Sequence, residues 1–507
     1  MSPTCPLPYS FRVNQYTTYR TKTSALWAFL ARLCVNAFRI ATFSVVAMLL
    51  FFPAFKNVWL GFVPVLLGGL AFYYGRRYIH PVTLSLSRWP ESSYLSLILL
   101  LPAAIQVVLI VLFRSQPVFD GLFVYREAVT LVESGHMNPL TYYAPGQVWY
   151  FAFFFHIFGT SPLVAQLCQI PLMMLIAYLV YQIAKAISID PDLNPQPDRG
   201  PFEIQSGPGR ARLAGLLTAF YPGLLLYVLV TPYYYYLYTA MLLLMVWAWL
   251  RMFSGDGNAW SGIWGGAAAG FGALTKATFL VAPAQALCFA FLAAERWLHR
   301  RSWAIWILFT GIMIVTIMPW AMRNQRVFGE TILINTAGPL VLYSANNPES
   351  DGLYSDIPDQ VDLQTPQDML DHMEWCSEQA KAFIRENPGR FIQLIGLKLL
   401  HTWGTETTFV ELINRNRQSL GPVDPAMRFG VQAGWALLVF AWGAVAWQSF
   451  RQRRPPRPFE LALAILVLSK FLIYSVYEGG ARHHMPVIPL LWIYVMMYRP
   501  SPESDSS

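Results

Sequence analysis

Asp120 is the first residue in this chain whose type and position suggest chemistry. It follows, by a few residues, an apolar run from Tyr94 to Phe113 that is long enough to cross a bilayer. A carboxylate at the membrane–water boundary, partly stripped of water, can act as a general base towards a hydroxyl arriving from the aqueous side. It could equally cap the next helix, since Asp is a preferred N-cap, and Glu127 would then be solvated surface. Local chemistry leaves both readings open. Four cations, Lys276, Arg323, Arg326 and Arg482, fall at helix ends on one side of the membrane in the topology derived below. Such a set suits an anion such as a phosphate. The plainer readings are snorkelling for Lys276 and Arg482 and an ordinary loop position for Arg326. Lys470 lies inside an apolar stretch about two turns before Glu478, which suggests an intramembrane pair or snorkelling. His483 and His484 could ligate a metal, but adjacent histidines seldom point the same way, and surface hydrogen bonding is the simpler expectation. The tyrosines from Tyr233 to Tyr236 could stack on sugar rings or belong to an interfacial aromatic belt.

Membrane helices must position these residues. The 507 residues are 55% hydrophobic and 13% charged, and an average soluble domain carries about twice that charge. Mean hydropathy is +0.40. Spans are predicted near 36–54, 58–75, 93–113, 162–183, 213–230, 237–253, 259–275, 277–294, 303–320, 429–450, 459–477 and 485–498. The fold class expected is an all-α polytopic membrane protein of about twelve helices. No leader with a small-residue cleavage site precedes them, so the first helix is expected to act as an uncleaved signal. With the N-terminus inside, the inner segments collect most of the positive charge, including Arg76, Arg77, Arg210, Arg212, Arg453 and Arg454. The short outer loops hold only Lys56, Arg114, Arg126, Lys276 and Arg482. That asymmetry obeys the positive-inside rule, so the net charge of +8 reflects topology and not a nucleic-acid partner. Of the five cysteines only Cys376 lies in an expected outer segment, and none has metal-ligand spacing.

The chain divides into an inner N-terminal segment 1–35, two helices with an inner loop over 36–92, and a membrane module over 93–320 with its first outer loop at 114–161. An outer segment at 321–427, C-terminal helices at 428–498 and an inner tail at 499–507 complete it. Residues 321–427 hold 14 of the 28 acids. Within them Thr365-Pro366-Gln367-Asp368 predicts a capped helix start, and Asn387-Pro388-Gly389 predicts its end. This segment is therefore expected to fold as an extracytoplasmic subdomain. Residues 190–209, rich in Pro and Gly, are expected to form a flexible inner loop, and the tails 1–22 and 499–507 to be disordered. Gly146 to Phe158 and Phe391 to Trp403 are too short to span at about 20 Å each. They are expected to lie in the outer interface, where Trp149, Tyr150 and Trp403 would be comfortable.

Asp120, Tyr125, Ala128 and Gly135, then Tyr142-Tyr143-Ala144-Pro145-Gly146 and Phe158-Gly159-Thr160-Ser161, together resemble the first-loop signature of the GT-C glycosyltransferases. The resemblance is to the bacterial branch related to protein mannosyltransferases and to the lipid A aminoarabinose transferase. Three later motifs are similar to theirs: Gly270 to Lys276, ending in Leu-Thr-Lys; Pro319-Trp320-Ala321-Met322-Arg323-Asn324 with Phe328-Gly329 and Asn346-Asn347-Pro348; and Ala481-Arg482-His483-His484-Met485-Pro486. The resemblance implies transfer of a sugar from a polyprenyl-phosphate-linked donor to an extracytoplasmic glycan, lipid or protein acceptor, in the bacterial cytoplasmic membrane. It implies Asp120 as catalytic base with Glu127 as second candidate, and Lys276, Arg323 and Arg482 as phosphate-binding residues. Tyr125, Tyr143, Asn346, Asn347 and His483 become candidates for substrate binding. This chain departs from the pattern in three ways. Thr231-Pro232-Tyr233 stands where relatives often carry a further acid, Tyr-Ala-Pro-Gly replaces Tyr-x-Pro-Pro, and two extra helices, 36–54 and 58–75, precede the usual first one. These departures leave the sugar and the acceptor open and weaken the inference of a divalent metal, which is compatible with the sequence but not indicated by it. No nucleotide-phosphate loop occurs, which fits a lipid-linked donor. The competing class, a transporter or flippase of a lipid-linked saccharide, would usually show repeats and midplane polar sites.

Overall fold

The computed structural model describes residues 22–55, 61–140, 142–190, 193, 201–230, 233–253, 259–293, 300–354, 363–417 and 421–498. The tails 1–21 and 499–507, most of the 190–200 stretch, Lys56, Thr231, Pro232, Asp356, Asp359 and Asp362 lie outside the described residues. The chain runs through α1 (Lys22–Phe55), α2 (Phe62–Gly75), α3 (Ile79–Ser87), α4 (Glu91–Phe113), α5 (Phe119–Ser134), α6 (Pro145–Phe158) and α7 (Pro162–Leu167). It continues with α8 (Ile170–Ile189), α9 (Pro201–Ala219), α10 (Pro222–Leu226), α11 (Tyr235–Phe253), α12 (Ala259–Thr275), α13 (Ala282–Ala293) and α14 (Arg300–Phe328). The last third holds α15 (Ala337–Ser344), α16 (Pro366–Glu386), α17 (Pro388–Trp403), α18 (Thr408–Arg417), α19 (Asp424–Arg451), α20 (Pro458–Val476) and α21 (Ile488–Tyr498).

The chain is a multi-pass membrane protein. Among the described residues seven helices are long and apolar enough to cross a bilayer, or eight if one bent pair counts as a single span. The expectation of about twelve exceeds that number, and the difference has a physical cause. Proline and short length interrupt the apolar windows. The window 213–230 is bent by 43° where Pro222 opens a new helix after Tyr221. The window 485–498 begins as a 3₁₀ turn at Met485–Val487, leaving only the 11 residues of α21 as α-helix, all of them buried. At 14 residues α2 would be about 21 Å long against a core of about 30 Å. Residues 201–209, expected in a loop, begin α9 instead, since proline is favoured at the first helical position.

The segment 321–427 is helical in α15 to α18, while α14 extends into it as far as Phe328. Thr365 and Asp368 form the expected reciprocal capping box ahead of α16, which ends at Glu386. The short apolar stretches became α6 and α17, but Trp403 is not at an interface. It is fully buried and stacks on Phe471 with ring centroids 4.9 Å apart. In place of water, α17 faces α1 and α20. Helices α11, α12 and α14 pack closely because glycine lines one face of α12. A Cβ at Gly270 would lie 2.6 Å from that of Thr316, too close for any side chain. This packing carries Thr275 and Lys276 to the same end of the bundle as Asp120.

Candidate active site

Asp120 is the second residue of α5. Val118, in extended conformation, is the N-cap, so Asp120 belongs to the first turn and is not the cap considered above. Its carboxylate is instead held by two phenols. Tyr143 donates to Oδ1 at 2.9 Å and Tyr233 donates to Oδ2 at 2.6 Å. Tyr143 arrives from the turn before α6 and Tyr233 from the approach to α11, so three segments converge on one carboxylate. Its side chain remains 42% exposed, which leaves lone pairs open to an incoming hydroxyl.

Arg482 lies 3.9 Å from Oδ2 of Asp120 and 2.5 Å from Glu478. Coulomb energy falls with distance, so Glu478 is the main partner and Asp120 the secondary one. Burial would raise the Glu478 carboxyl, but the charge of Arg482 and the His483 hydrogen bond overcome this and hold it well below the ordinary range. His483 lies 3.3 Å from Glu478 and stacks on Tyr474 at 4.0 Å between centroids. Burial, aided by the charge of Lys276, pushes His483 well below its usual value, so it is neutral. Lys276 donates to the hydroxyl of Tyr234 and lies over that ring at 4.6 Å. Loss of hydration lowers it to about 7, against the pull of Glu478 in the other direction.

The turn that presents Arg482 is clamped from behind. Val476 ends α20, and its carbonyl accepts from both Lys398 at 2.9 Å and Asn346 at 2.9 Å. Gly479 donates to the Gly352 carbonyl and sits against the Lys398 backbone, where a Cβ would come within 2.6 Å of its oxygen. Gly480 has φ of 153°, a conformation suited to glycine, and donates to Thr402. His484 is fully buried, bonded to the Thr402 carbonyl and to Glu406, with its ring 4.1 Å from that of Trp435. The two histidines therefore point apart, and neither is the surface group expected.

Other expected site residues lie elsewhere. Glu127 accepts from the Asn138 amide at 3.2 Å, and Arg323 donates to the Asn138 carbonyl at 3.0 Å while covering Trp320. These two share a neighbourhood around Asn138, and Arg323 does not share the contacts of Lys276 and Arg482. Tyr125 donates to the Thr160 carbonyl and packs on Phe155. Asn346 and Asn347 are buried and spend their amides closing α15, and Asn346 also accepts from Lys398 at 2.6 Å. Lys470 pairs with the His483 carbonyl at 3.1 Å and Tyr238 at 3.4 Å, not with Glu478. Tyr234, Tyr235 and Tyr236 are buried, so they are no aromatic belt. Arg326 is exposed.

Three contributors were absent from the sequence-based set: Glu478, Lys398 and Glu406. Only the first had a readable signal, its spacing of four from Arg482, which places the pair one turn apart. Among the described residues no group of three or more His, Cys, Asp or Glu is placed to hold a metal ion.

No protein-family model matches the chain, and no curated protein matches it in sequence. Solved structures do. The archaeal oligosaccharyltransferase AglB from Archaeoglobus fulgidus, in complex with an inhibitory peptide and a dolichol-phosphate, aligns over 81% of this chain and 50% of its own, with 15% identity and a TM-score of 0.43. ArnT from Cupriavidus metallidurans, bound to undecaprenyl phosphate, aligns over 81% and 79%, with 14% identity and a TM-score of 0.38. The chain spans half the length of the archaeal protein.

Proposed function

We propose that the chain transfers a glycosyl unit from a polyprenyl-phosphate-linked donor to an acceptor hydroxyl on the extracytoplasmic side of a bacterial cytoplasmic membrane. The observation that carries this reading is the Asp120 cluster: an accessible carboxylate, held by two phenols, beside the cations Arg482 and Lys276. The motifs that resemble the GT-C enzymes contribute Asp120 and Tyr143 from the first loop, Lys276 from Leu-Thr-Lys and Arg482 from Ala481 to Pro486, while Tyr233 lies outside them.

Asp120 takes the proton of the acceptor hydroxyl. The freed oxygen attacks the anomeric carbon from the face opposite the phosphate, so configuration inverts. The bond between that carbon and the phosphate oxygen breaks, and polyprenyl phosphate leaves with the electron pair. Its negative charge grows as the bond breaks, and cations fixed in advance near that oxygen favour the transition state over the ground state. Lys276 and Arg482 are the cations assigned to it, with Arg323 at the periphery of the same face. Glu478 holds Arg482 in place and keeps it from closing fully on Asp120, which leaves the base unneutralised. His483, neutral and stacked on Tyr474, is assigned to the sugar, as is Tyr143.

In this reading the helices cross the membrane about twelve times, with the short ones included. The end bearing Asp120 faces away from the cytoplasm, and residues 321–427 build on that face. The decisive experiment is release of sugar from radiolabelled polyprenyl-phosphate donor by purified protein. Release that depends on Asp120 supports transferase activity. Movement of intact donor across vesicles without release would replace it with transport.

A further inference from the structure

Lys398 and Lys470 stand outside the chemistry proposed above, yet both are spent on one turn. Lys398 of α17 is fully buried and Lys470 of α20 is 6% exposed. Each donates to neutral oxygens. Lys398 meets the Val476 carbonyl at 2.9 Å and the Asn346 side-chain oxygen at 2.6 Å. Lys470 meets the His483 carbonyl at 3.1 Å and the Tyr238 hydroxyl at 3.4 Å. Taking an ammonium out of water is costly, and neutral dipoles offset less of that cost than a carboxylate would.

The two carbonyls bracket the segment that carries Glu478 and Arg482. Val476 is the last residue of α20, and the free carbonyls of a helix end bear partial negative charge that a nearby cation stabilises. Lys398 supplies that cation, and the chain leaves the helix with Tyr477 extended. At the far end His483 closes the 3₁₀ turn Ala481–His483, one residue beyond Arg482. A carbonyl held on each side leaves the backbone between them little freedom to swing. The guanidinium it carries makes a short contact with Glu478 and a long one, 3.9 Å, with Asp120. That long contact is the one a small backbone shift would close or break.

We propose that Lys398 and Lys470 are positioning residues, which fix Arg482 beside Asp120 by holding the backbone carbonyls at the two ends of segment 476–483. This role rests on the transfer reaction proposed above, in which Arg482 is one of the cations assigned to the leaving phosphate. Among the described residues neither lysine bonds to Asp120 or Arg482, so both act through the backbone.

The test uses full-length protein in mild detergent, with Lys398→Met and Lys470→Met each made in the native chain and in Arg482→Gln. Methionine keeps an unbranched chain of similar length and removes the donors. Turnover of radiolabelled polyprenyl-phosphate donor should fall on the order of 10² in each lysine variant, the cost of displacing a catalytic group by about 1 Å. Added to Arg482→Gln, either change should alter turnover by no more than about two-fold, since nothing is left to position. Equal losses in both backgrounds would show a separate role for the lysines and overturn the proposal. Amide exchange reads the same point without any reaction. Gly479, Gly480 and His483 donate hydrogen bonds within this turn or from it, so residues 477–484 should exchange about ten-fold faster in each lysine variant. Unchanged exchange there overturns the proposal whatever the turnover. The lysines sit on different helices, so failure of one variant to fold leaves the other to decide. If the native chain moves no sugar, the transfer reading falls on its own, and exchange still decides whether the lysines hold the turn.

Discussion

Tyr143 and Tyr233 each donate to a different oxygen of Asp120, and that decides what Asp120→Asn must do. An amide keeps one acceptor oxygen and turns the other into a donor, so one phenol must switch from donating to accepting. That costs on the order of 1 kcal/mol, too little to unfold the chain. Loss of a general base costs on the order of 10² to 10⁴ in rate. Asp120→Asn is therefore expected to express and melt nearly as the native protein does, with transfer almost abolished at saturating donor. Glu127→Gln removes a charge from the same helix but only loosens the Asn138 turn, and a smaller loss is expected. Near-native transfer by Asp120→Asn would take this residue out of the mechanism.

Lys276 makes a second prediction at this scale. Loss of hydration lowers it to about 7, so its charge is present below that pH and disappears above it. If the charge holds the donor phosphate, the donor KM should rise as pH climbs through about 7. Lys276→Arg keeps its charge at all such pH values and should flatten the profile. A native KM that is constant from about pH 6 to 9 would remove Lys276 from the phosphate site.

Among the helices, a buried ion pair fixes α1 to the rest of the bundle. Arg39 of α1 meets Glu460 of α20 at 2.9 Å, and Tyr494 donates to the same carboxylate. Removing one partner of such a pair strands the other, at a cost of about 3–5 kcal/mol, whereas replacing both with apolar groups is often near neutral. Arg39→Met should thus lower the melting temperature sharply, and adding Glu460→Leu should restore much of it. Additive losses in the double variant would show that the two do not act as a pair. Neither residue was readable as a partner from the sequence, because Arg39 sits inside an apolar run and its partner lies 421 positions away. The same limit explains the asparagines. Asn346 and Asn347 looked free for substrate because sequence gives residue type but not what already occupies the amide. Local signals did better. Thr365 and Asp368 announced their capping box at a spacing of three. Pro222 was equally visible, but an averaged apolar window passed over it. Asp120, Lys276 and Arg482 stood out through motif resemblance, while Glu478 hid in a turn that reads as a helix end.

For the molecule as a whole, orientation is the open quantity with the simplest measurement. Ser134 ends α5, the helix that carries Asp120 at its start, and is exposed, and Arg453 is exposed beyond the far end of α19. In a background without native cysteines, Ser134→Cys should react with an impermeant maleimide in intact spheroplasts. Arg453→Cys should react only after lysis. The reverse pattern would turn the molecule over and move the proposed chemistry to the cytoplasm.

The clamp behind Arg482 also fixes when this protein can become competent during its synthesis. Asp120 emerges early, but Arg482 follows 362 positions later (482 minus 120), and its turn is shaped by Asn346, Gly352, Lys398 and Thr402, which must already be in place. Domains made on the ribosome fold from the N-terminal side first. A nascent chain that stops just before Arg482 would thus hold most of its membrane helices and the Asp120 carboxylate, with no Arg482 guanidinium beside it. If Asp120 and Arg482 act together as proposed, copies in the membrane that stop short of Arg482 stay chemically silent.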